Sequence, residues 1–469
     1  MFDRNGIARW ARLAIALAAA AGTAPALAAQ TGTPPTTTAA QAAAGQPRTI
    51  TFDEAVRIAL QQNGTLRQAV NSAALDTVAV RQSKSQFLPD VRFSTTSTGT
   101  YDRAAGSGNG SGTALSRTST ALNAGVSSSL VVYNGGANSA NLRAARLTQQ
   151  AGASDVERTR QSVVFTVVSN YLTLIEAQEQ LRVRNETLAS EEAQLQQIRA
   201  FVDAGRRPIA DQYQQQAAVA AAQLAVVQAR AAVELAKVDL IQTLQLDPRG
   251  EYAFQAPPAG TGTAAVGSLD ALLDQAFARR VDLSARQTDL AAAQQGVRAA
   301  QAGRLPTVTV SAGYNTSVNS NQDLGLFDQL NERQGGSVSV GLSLPIFDRG
   351  NTAAEVQRAR IQQDNARIAL ENQRQQVGLE VRRALLDWQS AQQQLAAAQA
   401  QVTAAQQSLT ATDQRYRAGV GTLVELTQAR AVLAQAQSQL VSARYNLVFQ
   451  RTLVDYYVGN LDPDAVSIG

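Results

Sequence analysis

The sequence predicts a mostly helical chain that carries a few strands and is built by internal tandem duplication. Ala- and Gln-rich stretches hold apolar residues at every seventh position over many turns, the spacing of left-handed coiled-coil packing. Short stretches such as VSVGLSLPIF, residues 338–347, instead alternate large apolar residues with small or polar ones, the period of a two-faced strand. Landmarks of the first half also recur in the second at an offset near 214 residues, the interval from Gly205 to Gly419.

Composition agrees with thin helical packing. Of 469 residues only 17% are charged and 5% aromatic, against about a quarter charged in ordinary globular chains. Helices that approach closely through Ala need few large side chains. The chain has no Cys and no His, which removes disulfides, thiol nucleophiles, imidazole bases and the commonest zinc ligands. It has no P-loop, dinucleotide fingerprint or nucleophile elbow either. No enzyme activity, cofactor or metal site is expected.

Residues 1–28 read as a signal peptide. Arg4, Arg9 and Arg12 precede the apolar run Leu13–Ala21, and APALA ends in an A-x-A cleavage pattern. Cleavage after Ala28 lowers the formal charge from +4 to about +2, which gives no reason to expect a nucleic-acid partner. No later stretch reaches the ~20 apolar residues of a membrane helix, so any membrane insertion is expected through strands. Residues 29–48 form a low-complexity leader. The first repeat covers 49–254, a linker 255–267, the second repeat 268–463, and a tail 464–469.

Each repeat reads as helix, strand, loop, strand, long helix, tight turn and returning helix. TFDEAVRIAL of the first matches SLDALLDQAF of the second. Pro89 and Pro306 end the incoming helices, because proline disfavours helix in the residue before it. The strand pairs span about 90–133 and 307–347. In the second pair Val308, Val310, Tyr314, Val338, Val340, Leu342, Leu344 and Ile346 share one face; in the first, Leu122, Ala124, Val126, Ser128, Leu130 and Val132 do.

The helical hairpins span 137–246 and 352–458. The first long helix carries Val167, Leu174, Leu181, Leu188, Leu195 and Val202 as its seam. The second carries Val381, Trp388, Leu395, Val402, Leu409 and Tyr416. The returning helices match with Val219, Val226, Val233 and Leu240 against Leu433, Leu440, Leu447 and Val454. At 1.5 Å per residue each long helix is ~100 Å long.

On heptads alone the chain would be a soluble antiparallel coiled coil. The strands argue otherwise. Alternating segments of about ten residues fit a transmembrane β-barrel, and in lipid such a sheet must close on itself. One chain supplies four strands where the smallest outer-membrane barrels use about eight, so copies must pool them.

Several motifs now combine. Both first strands start after Leu-Pro (LPDV, LPTV), and both second strands end in aromatic-x-x-Gly (YNGG, FDRG). In FVDAGRRPIAD and YRAGVGTLVEL a hairpin Gly is followed six residues on by a carboxylate. In these features the chain resembles the TolC family of outer-membrane efflux channels over nearly everything after the leader. The resemblance implies a homotrimer with a 12-stranded outer-membrane β-barrel, four strands per chain, continued by a long periplasmic α-helical coiled-coil barrel. It implies that the apolar strand face meets outer-membrane lipid. It also implies a passive exit duct for small toxic compounds, fed by a proton- or ATP-driven inner-membrane pump through a periplasmic adaptor protein. The same tube serves type I protein secretion, which is the alternative reading. A periplasmic coiled-coil adaptor is a third reading, and it lacks paired barrel strands.

Gly205 and Gly419 are expected to end their helices in the left-handed conformation. By resemblance, the turns at Gly205, Gly419, Val420 and Gly421 form the periplasmic entrance and the adaptor docking surface. Asp211 and Glu425 would then converge on one aperture, where like charges raise carboxylate pKa values and attract cations. Each also suits a helix N-terminus on its own. The family further implies a closed-state lock, here a hydrogen bond between Asp211 and Tyr416. Gly421 stands where the best-known family pattern has Arg, while Arg206 and Arg207 occupy the first hairpin as candidate partners of Asp211 or Glu425. Gln214 and Gln428 replace a second pair of acids.

Overall fold

The computed structural model describes residues 48–104, 115–255, 266–319, 328–329 and 332–461. The expected signal peptide, the leader as far as residue 47, most of the 255–267 linker and the tail from 464 lie outside the described residues. The first repeat contains β1 (Arg48–Ile50), α1 (Phe52–Gln62), α2 (Gly64–Ser85), β2 (Asp90–Ala104), β3 (Leu115–Asn134), α3 (Ala137–Asp203) and α4 (Ile209–Leu244). The second contains β4 (Tyr252–Phe254), α5 (Leu269–Arg279), α6 (Val281–Gln301), β5 (Thr307–Asn319), β6 (Gln334–Ser343), α7 (Asn351–Arg417) and α8 (Leu423–Val458).

Two features differ from the sequence reading at the start of each repeat. Arg48 belongs to β1, which pairs in parallel with β4, Ile50 opposite Phe254. Three-residue strands show no periodicity, so the pattern missed both. They seal one core with Phe52 and Tyr171, whose hydroxyl donates to the Gln255 carbonyl. Burial pushes the Tyr171 phenol up to about 12. The single incoming helix is also two helices in each repeat. Asn63 splits the first pair, its side chain accepting from the Thr65 and Leu66 amides. Arg280, extended at φ −68° and ψ 114°, splits the second, and its buried guanidinium pairs with Asp282 and Glu380.

The long helices α3 and α7 have 67 residues each, ~100 Å at 1.5 Å per residue. Their seams face the returning helices as expected. Val167, Leu174 and Leu195 are buried with Val219, Val226, Val233 and Leu240, and Val381, Trp388 and Tyr416 with Leu433, Leu447 and Val454. Ala384, Ala391, Ala398 and Ala405 are buried too, so small side chains line the second seam. The two hairpins join along α3 and α8, where the Gln180 amide donates to the Ser438 carbonyl at 2.8 Å and Ser442 to Glu176 at 2.7 Å. Helices α2 and α6 pack outside α3, and α6 also packs on α7.

The four long strands form one antiparallel sheet in the order β2-β3-β5-β6. Register places Phe93, Val126 and Tyr314 side by side, and likewise Leu130, Val310 and Val340. The opposite face carries Ser129, Ser311 and Ser339. Val132 departs from its expected place: a bulge between Val131 and Tyr133 sets Tyr133, not Val132, opposite Val308. Strand β6 ends at Ser343, so Leu344 and Ile346 follow the strand instead of extending it. Pro345 has no N–H with which to continue the ladder. Strands β2 and β6 are the two edges, each paired on one side only within the chain.

Candidate functional site

The candidate site is the pair of hairpin turns, together with the two-faced sheet at the other end of the long helices. Helix α3 ends in a Schellman motif. The Gly205 amide donates to Val202 O at 2.9 Å and the Arg206 amide to Phe201 O at 2.8 Å. Helix α7 repeats it, Gly419 donating to Tyr416 O and Val420 to Arg415 O, both at 3.1 Å. The φ values of 68° and 77° at the two glycines are those an L side chain resists.

Gly421 has a second constraint. A Cβ at this position would lie 3.0 Å from the Tyr416 nitrogen and 3.2 Å from the Arg415 carbonyl carbon. The turn is folded tightly onto the end of α7, so a side chain here would need the backbone to shift by a few tenths of an ångström, a condition that favours glycine over arginine. The equivalent position in the first repeat is Arg207. Its guanidinium carbon lies 4.2 Å from the centroid of the Tyr416 ring, and its Nη2 donates to the Tyr416 carbonyl at 3.0 Å. Arg207 thus links the two hairpins of one chain.

Tyr416 itself is buried with Ile198, Leu423 and Leu426. The expected hydrogen bond from the Tyr416 hydroxyl to the Asp211 carboxylate is not made: that hydroxyl is buried without a hydrogen-bond partner among the described residues. Arg207 holds the ring face and the carbonyl instead. Burial raises the Tyr416 phenol pKa, Arg207 opposes that rise, and the nearby charge of Asp211 adds to it.

The remaining site residues are placed as follows. Asp211 lies half-buried in the first turn of α4, behind Pro208 at the cap. Glu425 closes a capping box with Thr422 and stands 3.8 Å from Arg415, so its local role is the helix N-terminal one. Neither Arg206 nor Arg207 forms an ion pair with these carboxylates among the described residues; Arg415, which the sequence reading did not select, does so with Glu425. Arg206, Val420, Gln214 and Gln428 are exposed.

Behind the turns lies a polar layer that the heptad pattern did not reveal. Gln215 is fully buried and donates to the carbonyl and the carboxylate of Glu191. Arg430 donates to Ser190 O at 3.2 Å and to Gln194 Oε1 at 2.8 Å. Gln194 Nε2, Gln215 Oε1 and Arg430 Nε are left unpaired. The available signal was polar residues falling four before Val219 and three before Leu433, on the inward side of each returning helix.

At the sheet, Val338, Val340 and Leu342 stand exposed beside Val308, Val310 and Tyr314 on one face, with Val91 and Phe93 exposed on the same face at the other edge. Serines, threonines, asparagines and glycines line the other face. One face suits hydrocarbon and the other water. Among the described residues no Asp/Glu group suited to a metal ion is present.

The sequence profile of the outer membrane efflux protein family matches residues 55–244 and 272–459, one stretch per repeat. The chain belongs to this family. Its place is the outer membrane, and its fold is that of a channel. Among its relatives, protein CyaE of Bordetella pertussis is 28% identical over 401 residues, 83% of this chain and 78% of CyaE. The pyoverdine export outer membrane protein OpmQ of Pseudomonas putida is 26% identical, over 69% of this chain and 67% of OpmQ. The fold is shared with CusC at a TM-score of 0.76 and 19% identity, covering 87% of this chain and 92% of CusC. It is also shared with the open-state outer membrane channel MtrE of Neisseria gonorrhoeae, at 0.70 and 20% identity over 89% and 91% of the two chains.

Proposed function

We propose that three copies of this efflux-family chain assemble into one duct, the exit of a tripartite system that expels small toxic compounds. The sheet carries this reading. It has an apolar face, a hydroxyl- and glycine-rich face and two edges left open, and open edges do not persist in lipid. Joining β6 of one copy to β2 of the next closes the barrel, and three four-stranded sheets make twelve strands. The apolar face meets outer-membrane lipid, the polar face the lumen.

The chain supplies no energy source of its own. An inner-membrane pump and a periplasmic adaptor provide drive and coupling, the adaptor docking at the exposed turns around Gly205, Gly419, Val420 and Gly421. Asp211 and Glu425 of each copy converge on the entrance as a cation-attracting ring. The contact of Arg207 with Tyr416 holds the two hairpins together while the entrance is closed. The relatives OpmQ, a pyoverdine export protein, and BepC of Brucella suis, an outer membrane efflux protein, favour small-molecule cargo.

The test is a partner census. A photo-crosslinker at Arg206 and at Val420, both exposed, is used to capture neighbours in cells for mass spectrometry. Capture of the adaptor of a small-molecule pump is expected. Capture of an adaptor from an ATP-driven protein exporter would replace efflux by type I secretion, and capture of no adaptor would remove the docking role.

A further inference from the structure

The internal repeat provides a reference for contacts between copies of the chain. Where β3 runs into α3, it packs on the α6–β5 junction of the second repeat. Gly135, at φ +67°, approaches so closely that a Cβ would lie 2.6 Å from the Ala302 carbonyl oxygen and 2.8 Å from the Leu305 Cβ. The equivalent exit of the second repeat, from β6 into α7, has no such neighbour, because β6 and β2 lie at opposite edges of the sheet. In the repeat, Gly135 corresponds to Arg349, Ala302 to Ser85 and Leu305 to Leu88.

Exposure follows that correspondence. Ala302 is buried and Ser85 exposed. Val132 is 60% exposed and its equivalent Ile346 94%; Tyr133 is 46% and Phe347 84%; Leu305 is 44% and Leu88 68%. What the seam inside the chain covers, the free edges leave bare.

Backbone conformation adds a second observation. Among the described residues only Gln245 and Arg349 have positive φ without being glycine. Each stands where the other repeat has Gly, at Gly459 and Gly135. Gln245 is the left-handed C-cap of α4, with its own amide donating to Gln242 O and the Leu246 amide to Ile241 O, both at 3.1 Å. Arg349, at φ 58°, is exposed and has no hydrogen bond or ion pair within the described chain.

We propose that Arg349 is an intersubunit clamp whose occupant is a second copy of this chain. It enters the α2–β2 junction of the next copy and donates to the helix-ending carbonyls around Ser85 of the partner subunit. Ile346 and Phe347 close over Leu88 of the partner subunit. The Lys84 and Ser85 carbonyls accept from the Phe87 and Leu88 amides at 3.1 and 3.0 Å within their own chain; each keeps a second lone pair at the negative end of the helix dipole, which suits a guanidinium. Because Gly135 leaves no space for a side chain, the seam between copies is wider than the seam within one. The Asp348 carboxylate, which accepts from the Gly350 amide at 3.0 Å and the Thr352 amide at 2.7 Å, holds the left-handed turn at Arg349 within the chain; what the neighbour supplies is a partner for the guanidinium.

The inference rests on the proposed trimer, and the test separates the two. The chain is free of Cys. The Ala302 Cβ lies 3.1 Å from the place of a Gly135 Cβ, so a slightly wider seam falls in the ~3.5–4.5 Å Cβ separation of a disulfide. The full chain carrying Arg349→Cys and Ser85→Cys is purified in detergent, sized, oxidised mildly and run on a denaturing non-reducing gel. Covalent dimers and trimers are expected, and none from either single variant. A trimer by size that runs as a monomer on the gel would overturn the clamp alone; a monomer by size would overturn the trimer and the clamp together. Arg349→Ala and Arg349→Gly are both expected to dissociate at lower temperature than the wild type. A glycine variant that dissociates at higher temperature would mean the arginine brings strain without a clamp.

Discussion

Replacing Arg207 with alanine removes two contacts between the hairpins: the guanidinium over the Tyr416 ring at 4.2 Å and the hydrogen bond to the Tyr416 carbonyl at 3.0 Å. A cation–π contact contributes ~0.5–2 kcal/mol depending on exposure, and a hydrogen bond from a charged donor ~1.5–3 kcal/mol. Arg207 is half-buried and one guanidinium makes both contacts, so the two overlap and ~2 kcal/mol per chain is a fair sum. That corresponds to ~30-fold in the balance between joined and parted hairpins. Single-channel recording in planar bilayers should therefore show larger or longer openings for Arg207→Ala. Arg207→Lys should fall between, since lysine keeps the charge and loses the planar stack. The reasoning fails if Arg207→Ala conducts as the wild type does, or if Arg206→Ala, which loses neither contact, has the same effect.

Further expectations follow from neighbouring groups. Tyr416→Phe should leave conductance unchanged, because the hydroxyl it removes has no partner, whereas Tyr416→Ala should raise it; an open Tyr416→Phe channel would restore the hydroxyl to the lock. Arg280→Met strips the buried partner from Asp282 and Glu380 and should cost ~3–5 kcal/mol in denaturant unfolding. A variant as stable as the wild type would mean water reaches those carboxylates. Burial raises the Asp455 pKa above its ordinary 3.8, with Arg451 offsetting part of the rise. A raised carboxyl binds more protons folded than unfolded, so stability falls as pH climbs from 3.8 through the folded value and stays lower above it. Asp455→Asn should thus raise Tm near neutral pH and not in strong acid, and an equal gain at both would exclude charge as the cause.

The large elements were readable because their periods are long. Seven-residue spacing from Val381 to Tyr416 marks the long helix and the seam it buries, and alternation at Val308, Val310 and Val338–Leu342 marks the strands and their shared face. What stayed hidden was set by single residues or by distance in sequence. The Val132 bulge and the stop at Pro345 are local breaks in a period, and β1 and β4 are too short to have one. At the hairpins the sequence points to partners other than those the structure shows. Arg207 and Tyr416 are 209 positions apart, and only the folded pairing of α3 with α8 brings their turns together. Gly421 departs from the family pattern in sequence, and the 3.0 Å approach that favours glycine there is a property of the folded turn, visible only once α7 and the turn are in place.

The central claim is that this chain forms a pore in the outer membrane, and reconstitution tests it most directly. The full chain is produced in a Gram-negative host, its membranes are fractionated, and the purified protein is inserted into planar lipid bilayers. The account predicts recovery from the outer-membrane fraction, a trimer in detergent, and discrete conductance steps that grow in Arg207→Ala. Recovery as a soluble periplasmic protein that leaves the bilayer silent would contradict it.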